Sequence, residues 1–226
     1  MTWVKICGIT NLEDALIAVD AGADAVGFVV YEKSPRSVSV ATAREIVEKL
    51  PRELEKVGVF VDADCDRIHK AVVDAGLTAV QLHGSRSLES VWQDRRPARE
   101  CVGVSKLIPM IAGNTLKDSG GDVVQPRAFE KIFALLIDSQ VNGSSGGTGS
   151  TFDWESTRGA IQALSLSFPI IVAGGLNPLN AADAIKTFQP FGLDVVSGVE
   201  ARPGKKDPEK VRAFVRAVRE MDRKVS

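Results

Sequence analysis

Histidine and cysteine are scarce, at two and three in 226 residues. Two histidines, with no cluster of carboxylates, leave too few donors for a catalytic metal centre, so no metal is expected. The cysteines, Cys7, Cys65 and Cys101, are odd in number and far apart. They form neither a disulfide framework nor a zinc pattern, and the simplest expectation is unpaired thiols in a reducing, cytoplasmic setting. Long apolar runs are also missing. No stretch approaches the ~20 residues that span a bilayer. The opening MTWVKICGITNLED has no basic segment followed by an apolar one, so no signal peptide is expected. Net charge is close to zero, at −1, which gives no pointer to nucleic acid or a membrane as partner. An anionic small molecule stays compatible, because local charge makes a site. There is no Walker A motif and no G-x-G-x-x-G after the first apolar run.

What is present is alternation. Short apolar runs at 4–6, 25–30, 57–61, 79–82, 101–104, 134–137, 170–173 and 193–196 are each followed by a helix-period or loop segment. Thr10-Asn11-Leu12-Glu13 reads as a capping box, with Thr10 as the cap. Asn177-Pro178 and Asp207-Pro208 read as helix openings, since proline at the first helical position loses no hydrogen bond. Gly22 and Gly76 sit where helices end in a left-handed residue. The runs are apolar without alternation, as parallel strands buried on both faces require. Eight such units in this length predict one α/β domain over residues 1–226, a (βα)8 TIM barrel. Residues 106–133 take no clear place in the pattern and are expected to be a neutral surface insertion.

In such a barrel, chemistry collects where strands end. Cys7 reads either as a small buried hydrophobe or as a general base whose pKa is lowered by Lys5, two residues away on the same side of the strand. Asp138 closes an apolar strand. It is either a loop or cap carboxylate, or an acid whose pKa is raised by desolvation. Arg36 is either a solvated loop charge or a bidentate carboxylate clamp. Gln81 and His83 share one side of the fourth strand. Gly174-Gly175 and Ser197-Gly198 follow the seventh and eighth strands, where glycines and a nearby helix start favour a phosphate. His69 reads as surface.

These segments in order resemble the phosphoribosylanthranilate isomerase family of tryptophan biosynthesis. The resemblance is carried by Lys5-Ile6-Cys7-Gly8-Ile9-Thr10, Ser34-Pro35-Arg36, Val80-Gln81-Leu82-His83-Gly84, Gly146-Gly147-Thr148-Gly149, Gly174-Gly175-Leu176-Asn177-Pro178 and Asp194-Val195-Val196-Ser197-Gly198-Val199-Glu200 with Pro203-Gly204-Lys205-Lys206-Asp207. It implies an Amadori rearrangement of N-(5-phosphoribosyl)anthranilate to 1-(2-carboxyphenylamino)-1-deoxyribulose 5-phosphate. Asp138 is then the acid and Cys7 the base. Substrate contacts come from Lys5, Arg36, Gln81, His83, Gly147 and Asp194, and the phosphate is held by Gly174, Gly175, Ser197 and Gly198. No cofactor is needed, because the imine is the electron sink. The implied partner is a phosphorylated small molecule, and the chain is expected as a monomer or homodimer. One departure is Val196, which stands where the family often has the first of two serines. Two alternatives remain: the histidine-pathway aminoaldose isomerase, and a non-catalytic barrel that binds a phosphorylated ligand.

Overall fold

The computed structural model describes residues 1–84, 91, 93–94, 98–113, 116, 132–138 and 154–225. Eight parallel strands form a closed barrel in sequential order: β1 (Trp3–Cys7), β2 (Ala25–Val30), β3 (Glu55–Phe60), β4 (Ala79–Leu82), β5 (Lys106–Ala112), β6 (Leu135–Asp138), β7 (Ile170–Val172) and β8 (Gly192–Val195). Pairing of Lys5 with both Ala25 of β2 and Asp194 of β8 closes it. The helices are α1 (Leu12–Asp20), α2 (Val40–Val47), α3 (Cys65–Ala75), α4 (Ala98–Val102), α5 (Trp154–Ser165), α6 (Ala181–Phe188) and α7 (Pro208–Val225).

Alternate strand residues divide into two cores. Ala25, Val57, Ala79, Ile108, Met110, Leu136 and Ile171 fill the barrel interior. Their neighbours, such as Val4, Ile6, Val26, Phe28, Val80 and Leu193, pack outward with the helices. Both sets are buried, which is why the strands read as continuous apolar runs. Gly22 and Gly76 end α1 and α3 in left-handed geometry, at φ 86° and 67°, as the sequence predicts.

Several expectations shift. Residues 101–104 are not the fifth strand: Cys101 and Val102 end α4, and β5 lies in the stretch expected to be an insertion. A four-residue apolar run does not distinguish a strand from a buried helix turn, and Pro109 obscures the real strand. The cap of α1 is Asn11, which accepts from the Asp14 N–H at 2.9 Å. The Thr10 hydroxyl instead donates to the Gly204 carbonyl. Helix α6 starts at Ala181, after a turn in which Asn180 accepts from the Asn177 N–H. Asp207-Pro208 does open α7. Between β8 and α7 the chain adds a 3-10 turn (Ser197–Val199) and a small hairpin, β9 (Glu200–Arg202) with β10 (Lys205–Lys206).

The cysteines are not all unpaired. Cys65, at the start of α3, is bonded to Cys101 in α4, with Cα atoms 5.5 Å apart, and Cys7 alone stays free. Packing of two sequence-distant outer helices makes that pair, which spacing does not reveal. Among the described residues no helix is long and apolar enough to cross a membrane.

Candidate active site

Cys7 ends β1 and Asp138 ends β6, at the carboxyl end of the barrel. They line one cavity with Tyr31, Ser34, Arg36, Gln81, His83, Asp194 and Val196. A cleft at the opposite end, around Trp3, Asp24, Glu55, Lys106 and Phe133, is wider. It has no thiol, and it opens beneath the amino ends of the strands, where barrels of this kind do not place their chemistry.

Lys5 sits one layer below Cys7 and is fully buried. Its ammonium donates to Gln81 Oε1 at 2.9 Å and Asp194 Oδ1 at 3.0 Å. Gly27 makes room for this layer. A Cβ there would lie 2.6 Å from Cys7 Sγ and 3.0 Å from Lys5 Cε. Burial opposes the Lys5 charge, but Asp194 and Cys7 outweigh it and raise its pKa.

Of the two sequence readings of Cys7, its surroundings match the buried thiol. Burial pushes its pKa up, Lys5 and Lys206 pull it down, and Asp194 adds to the rise. A cation on the same strand face was the legible part. The desolvation, and the carboxylate that neutralises that cation, come from the closed barrel. His83 is pushed down to about 4, first by burial and then by the Lys5 charge, so its ring is neutral near pH 7.

Arg36 reaches across the mouth to Glu200, which accepts from Nε at 2.9 Å and Nη2 at 2.8 Å. Glu200 Oε1 also accepts from Lys206 Nζ at 3.2 Å and from the Gly204 N–H at 3.2 Å. Lys206 Nζ donates to the Val196 carbonyl at 3.1 Å. Burial would raise the Glu200 carboxyl, but Arg36, Lys206 and the Gly204 N–H hold it below its ordinary value. Burial lowers the Lys206 pKa, against the pull of Glu200 and Cys7.

The glycine pairs lie on neighbouring loops. Gly174 and Gly175 have φ 84° and 65°, and the Asn177 and Asn180 amides both donate to the Gly175 carbonyl. Gly198 meets the seventh loop so closely that a Cβ would stand 1.8 Å from the Leu176 carbonyl oxygen. A side chain at 198 would separate the two loops.

The structure thus brings Cys7, Asp138, Arg36, Gln81, His83 and Asp194 to one cavity. Lys5 lies below it, the glycine pairs are on the adjoining loops, and Gly147 is outside the described residues. Sequence reasoning missed Gly27, Glu200 and Lys206 as site residues. The signal was there for two of them, in an acid and a lysine bracketing a tight Pro-Gly turn after the last strand. Among the described residues Cys65, Asp94 and Cys101 place possible ligand atoms within 4.8 Å of one another. With the two sulfurs bonded together, no thiolate is offered there.

A model of the family described as N-(5'-phosphoribosyl)anthranilate (PRA) isomerase matches residues 4–217. The chain belongs to that family. It is 42% identical over 220 residues to the N-(5'-phosphoribosyl)anthranilate isomerase of Pelobacter propionicus, covering 97% of each chain. The phosphoribosyl anthranilate isomerase of Thermus thermophilus is similar in structure, with TM-score 0.78, 32% identity, and 97% of this chain and 100% of that one covered. Another similar structure is of a phosphoribosyl anthranilate isomerase in complex with reduced 1-(o-carboxyphenylamino)-1-deoxyribulose 5-phosphate. It has TM-score 0.70 and 35% identity over 97% of this chain and 100% of that one. The chain is therefore an enzyme of tryptophan biosynthesis, a phosphoribosylanthranilate isomerase by family, and the histidine-pathway and non-catalytic alternatives fall away.

Proposed function

We propose that Cys7 and Asp138 carry the isomerisation of N-(5'-phosphoribosyl)anthranilate as base and acid. The observation that carries this reading is their placement on one cavity at the carboxyl end of the barrel, from strands three apart around the ring. Asp138 gives its proton to the furanose ring oxygen, the ring C–O bond breaks, and the nitrogen lone pair forms the Schiff base. The Cys7 thiolate then takes the proton from the sugar C2, and the electron pair moves into the imine to give an enolamine. Tautomerisation yields the aminoketose. The reactive form thus holds Cys7 ionised and Asp138 protonated, two groups with opposite tasks.

Arg36 takes the anthranilate carboxylate, because its Nη1 edge is the one Glu200 leaves over. Neutral His83 and Gln81 line the sugar, with Asp194 beside them. Lys5, out of reach of the cavity, acts by holding Gln81 and Asp194. The N–H groups of Gly174, Gly175, Ser197 and Gly198 receive the phosphate, as left-handed and tight turns next to a helix start favour an anion. A phosphorylated analogue is bound by a similar solved isomerase. One (βα)8 unit over residues 1–226 suffices for all of this, as monomer or homodimer.

The test is turnover of freshly prepared N-(5'-phosphoribosyl)anthranilate, followed by loss of its fluorescence. Cys7→Ala and Asp138→Asn should each lose at least about a hundredfold, the size of a general acid or base, while melting as wild type does. Retention of activity within threefold by either folded variant would remove that residue from the mechanism.

A further inference from the structure

The role proposed for Arg36 leaves open what aims it. A guanidinium has five N–H donors arranged on two usable edges. Glu200 occupies one edge of Arg36, at Nε and Nη2. Both Nη1 donors and the second Nη2 donor remain, on the edge that matches another carboxylate. The Arg36 stem is fixed as well. A Cβ on Gly8, the residue after Cys7, would lie 2.9 Å from Arg36 Cδ, so the stem crosses the backbone beside the thiol.

Glu200 is in turn held from behind. Lys206 is fully buried and spans from the Glu200 carboxylate to the Val196 carbonyl, and the Gly204 N–H adds a third donor to Glu200. This anchoring explains the β9–β10 hairpin, whose register sets Lys206 opposite Glu200. Charge supplies the second argument. Two basic side chains, Arg36 and Lys206, face the single carboxylate of Glu200, and among the described residues no second acid bonds Arg36. One substrate carboxylate supplies it. Without Lys206, two carboxylates on one guanidinium would repel each other at close range in a water-poor site.

We propose that Glu200, anchored by Lys206, is a positioning residue that presents the free edge of Arg36 to the carboxylate of the anthranilate ring. It thereby sets specificity for an ortho-carboxylated arylamine. The inference rests on the reading that Arg36 receives that carboxylate.

The experiment compares two substrates, N-(5'-phosphoribosyl)anthranilate and the corresponding aniline derivative, which lacks the carboxylate. Glu200→Gln should raise KM for the anthranilate substrate about tenfold or more, the size of losing a charge-assisted hydrogen bond. It should change kcat less than threefold, and it should leave kcat/KM for the aniline derivative within about twofold. Equal losses on both substrates would mean that Glu200 supports the fold or the chemistry generally, and would overturn the proposal. No loss on either would overturn it as well. Arg36→Met separates this from the parent reading. If Arg36→Met fails to discriminate between the substrates, the carboxylate clamp itself is wrong. If it discriminates and Glu200→Gln does not, only the positioning role falls. Should Glu200→Gln not fold, Glu200→Asp carries the same test, since it keeps the charge but withdraws the carboxylate by one methylene from Arg36.

Discussion

Two polar networks sit at opposite ends of the same barrel. Toward the carboxyl ends of the strands, Lys5, Arg36, Asp194, Glu200 and Lys206 are all buried, and most of their hydrogen bonds run between charged side chains. At the amino ends, Arg219 bonds to the Thr2 and Gly22 carbonyls and to Asp24, while Asp222 accepts from the Thr2 N–H and hydroxyl. Asp24 also accepts from the Val4 N–H at 2.8 Å. Those side chains are partly exposed, and their partners are largely backbone. The lower network stitches β1 and the turn before β2 to the last helix, α7, and so joins the two ends of the chain.

The physical cost of the two differs. Ions that keep some water give up little hydration, and bonds to backbone groups that would otherwise be unpaired return a net gain. Buried ion pairs seldom outperform an apolar core of the same volume. A fold selected for stability alone would fill the upper end with Val and Leu, as the interior layers below it do. On the reading proposed above the substrate accounts for those charges, and a local rule broken in this way is where a site is expected. The two ends therefore predict opposite responses to mutation, in activity at the top and in stability at the bottom.

The largest effect should come from the smallest added group. In Gly27→Ala the new methyl would stand 2.6 Å from Cys7 Sγ, so the thiol must shift by about 1 Å, a displacement that can cost about a hundredfold. We expect that loss in kcat/KM, with a modest fall in Tm from overpacking. Activity within threefold of wild type would show that the upper layer is not tightly coupled to the chemistry.

The matching test at the lower end is Arg219→Ala. It removes bonds to two carbonyls and Asp24. The expected cost is about 2 kcal/mol of stability, after allowance for partial exposure, read as a lower midpoint in urea with kcat/KM unchanged within twofold. A comparable loss of activity in the folded variant would erase the distinction between the two ends.

Much of this division was legible in the sequence. The period of apolar runs gave the barrel, and parity along β1 and β4 placed Lys5 with Cys7 and Gln81 with His83 on the inner face. Pairings between distant segments were not legible. Arg36 and Glu200 are 164 residues apart, and a charge in a loop is ordinarily solvated, so the acid before the Pro-Gly turn does not reveal its partner. Cys65 and Cys101 met for the same reason, through helix packing. The fifth strand was lost because Pro109 breaks its pattern while a buried helix end imitated a strand four residues earlier. The state of the Cys7 thiol was left between two readings because one cation two residues away was visible, whereas the burial and the Asp194 charge that oppose it depend on closure of the barrel.

That last point yields the smallest effect and the most direct probe of the upper network. Cys7 is the free cysteine, the other two being bonded together, so alkylation under non-reducing conditions reports on one thiol. Only the thiolate reacts, and below its pKa the thiolate fraction rises tenfold per pH unit. A thiol held above its ordinary value should therefore keep gaining rate by about that factor through pH 8.5, where a free cysteine begins to level off. The rate is followed by mass spectrometry with iodoacetamide. Lys5→Met removes the stronger of the two cationic pulls and leaves Asp194 uncompensated, so the rise should move to still higher pH. Levelling below pH 7.5 in wild type would mean that Lys5 and Lys206 outweigh burial after all. The upper network would then hold a ready-made thiolate in the resting enzyme, rather than a thiol that is ionised at the cost of burial.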